Sequence, residues 1–467
     1  VINSNIKTYA FILGRERELC LAELKSVLTR FSFCFSISSV SDNVALFNID
    51  ADEESVGKLI KFLGGTVKIF RIMNEELGIR GFKEQIDNYI RSNHKEGKVN
   101  YGISSYTKEF NQRSVNNLGL SIKKDLKKDF SLRFVEAREG SELSSIASLK
   151  NKLDKDGFEF GIFADNSVGV LIGLTDAEEW NERDYGKPAG DKRSGMLPPK
   201  LARIMVNLAL GQATVSRDKY HVSGDPTHNT KYISHNTGIL LVDPFCGSGN
   251  IVLEAMILGC DVFGSDVSEK AVNDSRKNVE WLKNCVIPAK AGIQNLDLRV
   301  KSEDDNVRII QADAAAPALL KSLNSLFLIH NSYHDFVVVT EPYLGEPKKF
   351  NPTYNATAGE YFKIKELYLA FLKNFTTLVI PAEAEILSDK APDQVRGDAK
   401  NVVFCVVFPL VETAEGKQFS LYNESVDEIK KIGYTELRSP LIYGRDYQVV
   451  KREIVLLTMD SECPNSQ

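Results

Sequence analysis

Residues 238–266 limit most what this chain can become: an apolar run meets a glycine turn, a helix-forming segment and a second apolar run that ends in an acid. Ile239 to Val242, β-branched at both ends, suits a strand buried on both faces of a parallel sheet. Asp243-Pro244 stops the strand, and Gly247-Ser248-Gly249 predicts a tight turn in which backbone can approach a ligand closely. Ile251, Val252, Ala255, Met256 and Leu258 then recur at helical spacing until Gly259. Val262 to Gly264 reads as a second strand with Asp266 at its carboxyl end. Strand, glycine turn, helix, strand and acid together describe a nucleoside-binding βαβ unit.

A dinucleotide fold wants a third glycine to pack helix on strand, but Val252 stands there, so the G-x-G-x-x-G fingerprint fails. Asp243 ahead of the turn suits a ligand carrying an amine or sulfonium, whereas it would repel a diphosphate. Asp266 can accept from ribose hydroxyls in either case. The competing reading is a glycine turn in some other α/β fold. Asp243-Pro-Phe-Cys-Gly-Ser-Gly249 resembles the first motif of class I S-adenosylmethionine-dependent methyltransferases, in the form found among enzymes that methylate exocyclic amines of bases.

At 467 residues the chain is too long for one core, and the length suggests about three domains. A hydrophobic content of 43% and charge of 26% are those of a soluble globular protein. No run approaches the ~20 apolar residues of a membrane span. The first residues lack the basic-then-apolar profile of a signal peptide, and an initiator Met. Seven scattered cysteines without a C-x-x-C pair predict neither a disulfide framework nor a zinc site. A cytoplasmic, reduced protein with no metal and no membrane contact is expected. The net charge of −5 argues mildly against nucleic acid, but a local basic surface matters more than the sum.

In chain order, residues 1–75 predict strand Tyr9–Leu13, helix Glu18–Leu28, strands Phe31–Ile37 and Val44–Ile49, helix Glu54–Leu63 and strand Val67–Met73. That is a ferredoxin-like order. Residues 76–175 continue in α/β fashion. Leu118, Ile122, Leu126 and Phe130 form one apolar stripe, with Lys123, Lys124, Lys127 and Lys128 on the exposed side. Those lysines are either a solvated helix face or a phosphate-binding surface. Leu132–Val135 predicts a strand, and Phe158–Ile162 with Val168–Leu174 a hairpin. Residues 176–236 read as a connector holding a helix over Lys200–Leu210. Its His221, His228 and His235 lack a recurrent ligand spacing and are taken as loop histidines.

From 237 to 460 a second α/β domain is expected: helix Glu269–Leu282, strands Val307–Gln311 and Phe336–Thr340, helix Glu366–Phe375, strand Val402–Phe408, helix Glu424–Ile432, and strands Tyr434–Tyr443 and Glu453–Leu457. These predict a seven-stranded, mostly parallel sheet with a reversed edge hairpin. Residues 211–236, 284–306 and 387–401 are long polar interruptions, and the second contains a Val286–Gln294 string like a translated genomic repeat, to which no role is assigned.

Three stretches together resemble the tRNA guanine-N2 methyltransferases of archaeal and eukaryotic type, which carry a THUMP RNA-binding domain ahead of a Rossmann-like class I methyltransferase domain. They are Asp243–Gly249 with Asp266, the segment Ser194–Ala209, and Val338-Val-Thr-Glu-Pro-Tyr-Leu-Gly345 in place of the family's Asp-Pro-Pro-Tyr. The opening Tyr9–Arg15 with Ala22-Glu23-Leu24 is also similar. The resemblance implies S-adenosylmethionine as cofactor, held by Asp243, Phe245, Gly247, Gly249, Asp266, Val267, Asp313 and Ala314. It implies a ferredoxin-like plus THUMP module over 1–75 and 76–175, tRNA as partner through the lysines, and leaves room for a small activator protein. The expected reaction is methylation of the N2 amine of guanosine, at position 10 in the family. Glu341 and the Pro342 carbonyl would accept from that amine, and Tyr343 would stack on the extruded base. Glu341 departs from the family's Asp by one methylene. Amine methylation of DNA and a non-catalytic RNA-binding protein with a decayed site are the alternatives.

Overall fold

A computed structural model of the chain describes residues 6–74, 79–94, 97–190, 196–220, 239–286, 307–329, 335–379 and 402–459. Two compact units result, one of residues 1–28 and 32–182 and one of 29–31 and 183–467.

The first unit runs β1 (Ile6–Leu13), α1 (Arg17–Arg30), β2 (Phe35–Ser41), β3 (Val44–Asp50), α2 (Glu53–Lys58), β4 (Thr66–Asn74), α3 (Ile79–Asn93), β5 (Lys98–Ser105), α4 (Gln112–Leu126), β6 (Ser131–Val135), α5 (Ser145–Lys150), β7 (Phe158–Ile162), β8 (Val168–Leu174) and α6 (Ala177–Asn181). Its strands β1 to β4 pair antiparallel in the order β2-β3-β1-β4, a split βαβ pattern. The sheet then continues β8-β7-β5-β6, with β5 parallel to both β6 and β7. The division expected at 75/76 is therefore corrected: β4 pairs β8 across it, so both segments share one sheet. The physical reason is that β4 would otherwise carry a bare edge beside apolar neighbours. The Ser-rich β2 lies at the sheet's end and is mostly exposed.

Lys68 of β4 and Glu159 of β7 meet across β8, and both side chains are almost fully buried. The Lys68 ammonium donates to Glu159 at 2.5 Å and to the Leu143 carbonyl at 2.6 Å. Ser104 and Ser148 donate to the Glu159 oxygens at 2.7 and 2.6 Å. This satisfied ionic cluster joins the two halves of the sheet.

The second unit holds α7 (Pro199–Tyr220), β9 (Ile239–Asp243), α8 (Asn250–Ile257), β10 (Asp261–Asp266), α9 (Glu269–Trp281), β11 (Val307–Gln311), α10 (Pro317–Ile329), β12 (Asp335–Thr340), α11 (Tyr354–Val379), β13 (Val403–Glu412), β14 (Gln418–Ser420), α12 (Val426–Ile432), β15 (Tyr434–Tyr443) and β16 (Val450–Met459). Its sheet order is β11-β10-β9-β12-β13-β16-β15. The first five strands in that order are parallel neighbours, and β16 is antiparallel to both β13 and β15. The expected count of seven needs one addition, the short β14, which pairs with β13. Strand β13 is buried along nearly its whole length, as its unbroken apolar sequence requires of a strand covered on both faces.

The connector expected over 176–236 is also corrected. From Arg183 onward it belongs to the second unit, and α7 runs to Tyr220, ten residues past the expected end. Residues 201–210 of α7 are all buried, and the helix packs on α8, β12 and β13. Glu254 of α8 is clamped between two arginines of this segment: Arg183 donates to it at 2.8 Å, and Arg203 lies at 2.5 Å. Apolar burial and this ion triad make a folded part of the unit from what polarity and turn residues suggested was a tether. His221, His228 and His235, and most of the three polar interruptions, lie outside the described residues.

Candidate active site

β9 is followed on one side by β10 and β11 and bordered on the other by β12, so the chain reverses its direction of growth at the β9–β12 boundary. In open parallel sheets the crevice at the carboxyl ends of such strands is where ligands bind. Asp243 ends β9, Asp266 ends β10 and Glu341 follows β12. The sheet thus brings three carboxylates to one end.

Asp243 is buried; it accepts from the Thr340 hydroxyl at 2.7 Å and from the Phe245 amide at 3.3 Å. Burial pushes its carboxyl up to about 7, and the Asp266 and Glu341 charges add to this, against the two hydrogen bonds. Burial and the Asp243 and Asp266 charges likewise push the Cys246 thiol up, which disfavours its thiolate.

The turn itself is closed by short bonds. The Gly249 amide donates to the Cys246 carbonyl at 2.7 Å, and the Cys246 amide to the Ser265 carbonyl at 2.8 Å. The Gly247 amide donates to Asp266 Oδ2 at 2.9 Å, while the Ser268 amide donates to Oδ1 at 2.9 Å. Gly249 has φ +87°, and a Cβ there would lie 2.4 Å from the Ser275 hydroxyl, so only glycine fits. Gly247, at φ +51°, has no atom within 4 Å of such a Cβ. The turn therefore presents bare backbone to open space beside a carboxylate cluster. That donor set fits a cation with ribose hydroxyls, and the acids disfavour a diphosphate.

The other expected cofactor residues fall around this turn. Phe245 is half-buried with its ring edge-on to Phe371 of α11, and Val267 is 67% exposed just beyond Asp266. Asp313 is exposed and accepts from the Ala315 amide at 2.9 Å, which fixes its loop. Ala314 is buried, and its carbonyl accepts from Asn374 at 2.9 Å.

Glu341 has a partner that sequence reasoning missed. Arg452 of β16 donates through Nε to Oε2 at 2.5 Å and through Nη2 to Oε1 at 3.1 Å, a two-pronged contact. Burial works against the Arg452 charge, but Glu341 outweighs it and holds the guanidinium above its ordinary value. Lys451-Arg452-Glu453, breaking into an otherwise apolar closing strand, was the available signal. Pro342 is buried, and Tyr343 is 50% exposed with its hydroxyl donating to Glu346 at 3.0 Å. Tyr361 of α11 holds this loop by donating to the Leu344 carbonyl at 2.8 Å.

The four lysines belong to the first unit. Asn111 caps α4 by accepting from the Ser114 amide at 3.1 Å, and Ile122 and Leu126 face the core. Lys123 is half-buried, and Lys124, Lys127 and Lys128 are exposed. The neighbouring acids already have other partners, Asp125 with Lys83 and Asp129 with Arg91 at 2.7 Å. Among the described residues, no His, Cys, Asp and Glu group could hold a metal, and no helix is long and apolar enough to cross a membrane.

No known protein-family profile matches the chain. A tRNA (guanine(10)-N2)-dimethyltransferase from Methanothermobacter thermautotrophicus is 33% identical over 86 residues, 18% of this chain and 18% of that protein. One of the same name from Pyrococcus abyssi is 29% identical over 114 residues, 24% of this chain and 26% of that protein. The chain thus spans about a fifth to a quarter of the length of these curated relatives. Among solved structures, a possible methylase from Clostridium difficile 630 aligns with 98% of this chain and 100% of its own, at TM-score 0.44 and 13% identity.

Proposed function

We propose that this chain is an S-adenosylmethionine-dependent methyltransferase that modifies the exocyclic N2 amine of a guanosine in tRNA. The observation that carries the reading is the meeting of Asp243, Asp266 and Glu341 at the carboxyl end of the sheet, around an open glycine turn. The partial relatives point the same way, and their names suggest position 10.

The cofactor, when bound, supplies a methyl group activated by attachment to positively charged sulfur. The chain's own residues bind and orient. Asp243 would face the cofactor's positive charge, and Asp266, with each oxygen already anchored by one backbone amide, would accept from ribose hydroxyls. Phe245, Val267 and Ala314 would border the adenine, and the exposed Asp313 would meet its amine. On the other side Glu341 and the Pro342 carbonyl would accept from the guanine amine, raising electron density on a nitrogen whose lone pair is drawn into the ring. Tyr343 would stack on the base. The first unit serves as the RNA-binding module, a ferredoxin-like and THUMP-like pair, with Lys123, Lys124, Lys127 and Lys128 on phosphates.

The test incubates the purified protein with labelled cofactor and total tRNA, with DNA in a parallel reaction, and maps the modified base. Label on N2 of one guanosine is the expected result. Label found only in DNA, or in no nucleic acid despite cofactor binding, would favour one of the two alternative readings.

A further inference from the structure

Two tyrosines of the second unit stand in solvent, Tyr185 at 79% and Tyr447 at 73% exposure. Isolated exposed aromatics are common on protein surfaces and need no explanation. These two differ because they come with a cation and connect to the active site. The Arg445 guanidinium lies 5.6 Å from the Tyr447 ring centroid and donates to the Tyr447 hydroxyl. Tyr443, two residues before Arg445, sits directly opposite Arg452 in the β15–β16 ladder. Arg452 in turn forks the Glu341 carboxylate. The Tyr447 hydroxyl first, and then Tyr443 and Tyr185, hold the Arg445 guanidinium above its ordinary value. A line of rings and guanidinium groups thus leads away from Glu341 over the turn that joins β15 to β16.

Aromatic faces alternating with arginine are what a single nucleic-acid strand needs, since every base has a face to stack and every phosphate a charge to neutralise. Taking one base to Glu341 breaks its stacking with the bases on either side, and a ring of the protein can cover the faces so uncovered. We propose that Tyr185, Tyr443, Arg445 and Tyr447 form a track that holds the unpaired RNA nucleotides adjoining the target guanosine. This rests on the methyltransferase reading above, and adds to it a requirement that the target lie in, or be drawn into, a single-stranded segment.

The test uses the full-length protein, a tRNA transcript and a single-stranded DNA oligomer, with binding, salt dependence and methyl transfer measured. Tyr185→Ala/Tyr447→Ala is expected to weaken transcript binding about tenfold or more, the loss typical of a stacked base or two. Its melting temperature, cofactor affinity and salt slope should stay at parental values, because both rings lie outside the core and carry no charge. Tyr447→Phe should bind as the parent does, and Arg445→Ala should flatten the log affinity against log salt slope by roughly 0.7. Parental protein that methylates tRNA, paired with a double variant of undiminished binding, overturns the track and leaves the reading standing. A protein that transfers no methyl group removes the reading and the track with it, since no target guanosine is then left for the track to flank. Binding to DNA alone, or to neither probe, overturns both.

Discussion

Glu341 carries one methylene more than the acid of the motif it resembles, and Arg452 holds that longer side chain through both oxygens. Each oxygen keeps a second lone pair, so the carboxylate can still accept from an amine while the guanidinium fixes its direction. Glu341→Gln should therefore lower turnover roughly 100-fold or more and leave cofactor affinity nearly intact. Arg452→Lys keeps the charge but loses the fork, so single-turnover rates should fall between those of parent and Glu341→Gln. Full activity in both variants would remove Glu341 from the site. Asp243 makes the pH prediction. Its folded carboxyl sits near 7, above its unfolded value of 3.8, so the folded state holds the extra proton between these limits. Stability of the ligand-free protein should then fall as pH rises from about 4 to 7, by a few kcal/mol, and Asp243→Asn should flatten that slope. A cationic cofactor prefers the ionised form, so its affinity by calorimetry should rise from about pH 6 to about pH 8 in the parent and stay level in the variant.

At the scale of elements, the Lys68–Glu159 cluster ties β4 to β7 across β8 and is an ionic link between the halves of the first sheet. Burying both ions costs desolvation that their pairing and the two serine bonds must offset. Removing one partner leaves an uncompensated buried charge. Glu159→Ala should thus cost about 3–5 kcal/mol in urea unfolding, whereas Lys68→Met/Glu159→Leu should cost clearly less. A double variant as damaged as the single would mean that the cluster contributes more than mutual neutralisation. The α7 segment teaches a related lesson. Its helical stripe was readable, but its depth in the core follows from the buried Arg183–Glu254–Arg203 triad, which no spacing along the chain announces.

For the molecule as a whole, a formal charge of −5 coexists with a mostly exposed basic run at the end of α4, whose neighbouring acids are bound to Lys83 and Arg91. If those lysines meet tRNA phosphates, a Lys→Ala change at all four should flatten the salt slope of binding by roughly 0.7–0.9 for each phosphate left without its lysine. A parental slope would make α4 a solvated face. Strand and helix identities over β9 to α9, the hairpin β7–β8 and the strand β15 were legible because period, glycines and turn residues act within a dozen positions. So was the grouping of Asp243, Gly247, Gly249 and Asp266, since one βαβ turn brings them together. The fusion of residues 1–75 with 76–175 into one sheet was not legible, because strand edges find partners by burial and not by sequence distance. Nor was Arg452, which lies 111 positions from Glu341 and reaches it only because β16 runs antiparallel beside β13. Local chemistry determined the elements and the glycine turn; long-range pairing alone decided which charge faces which.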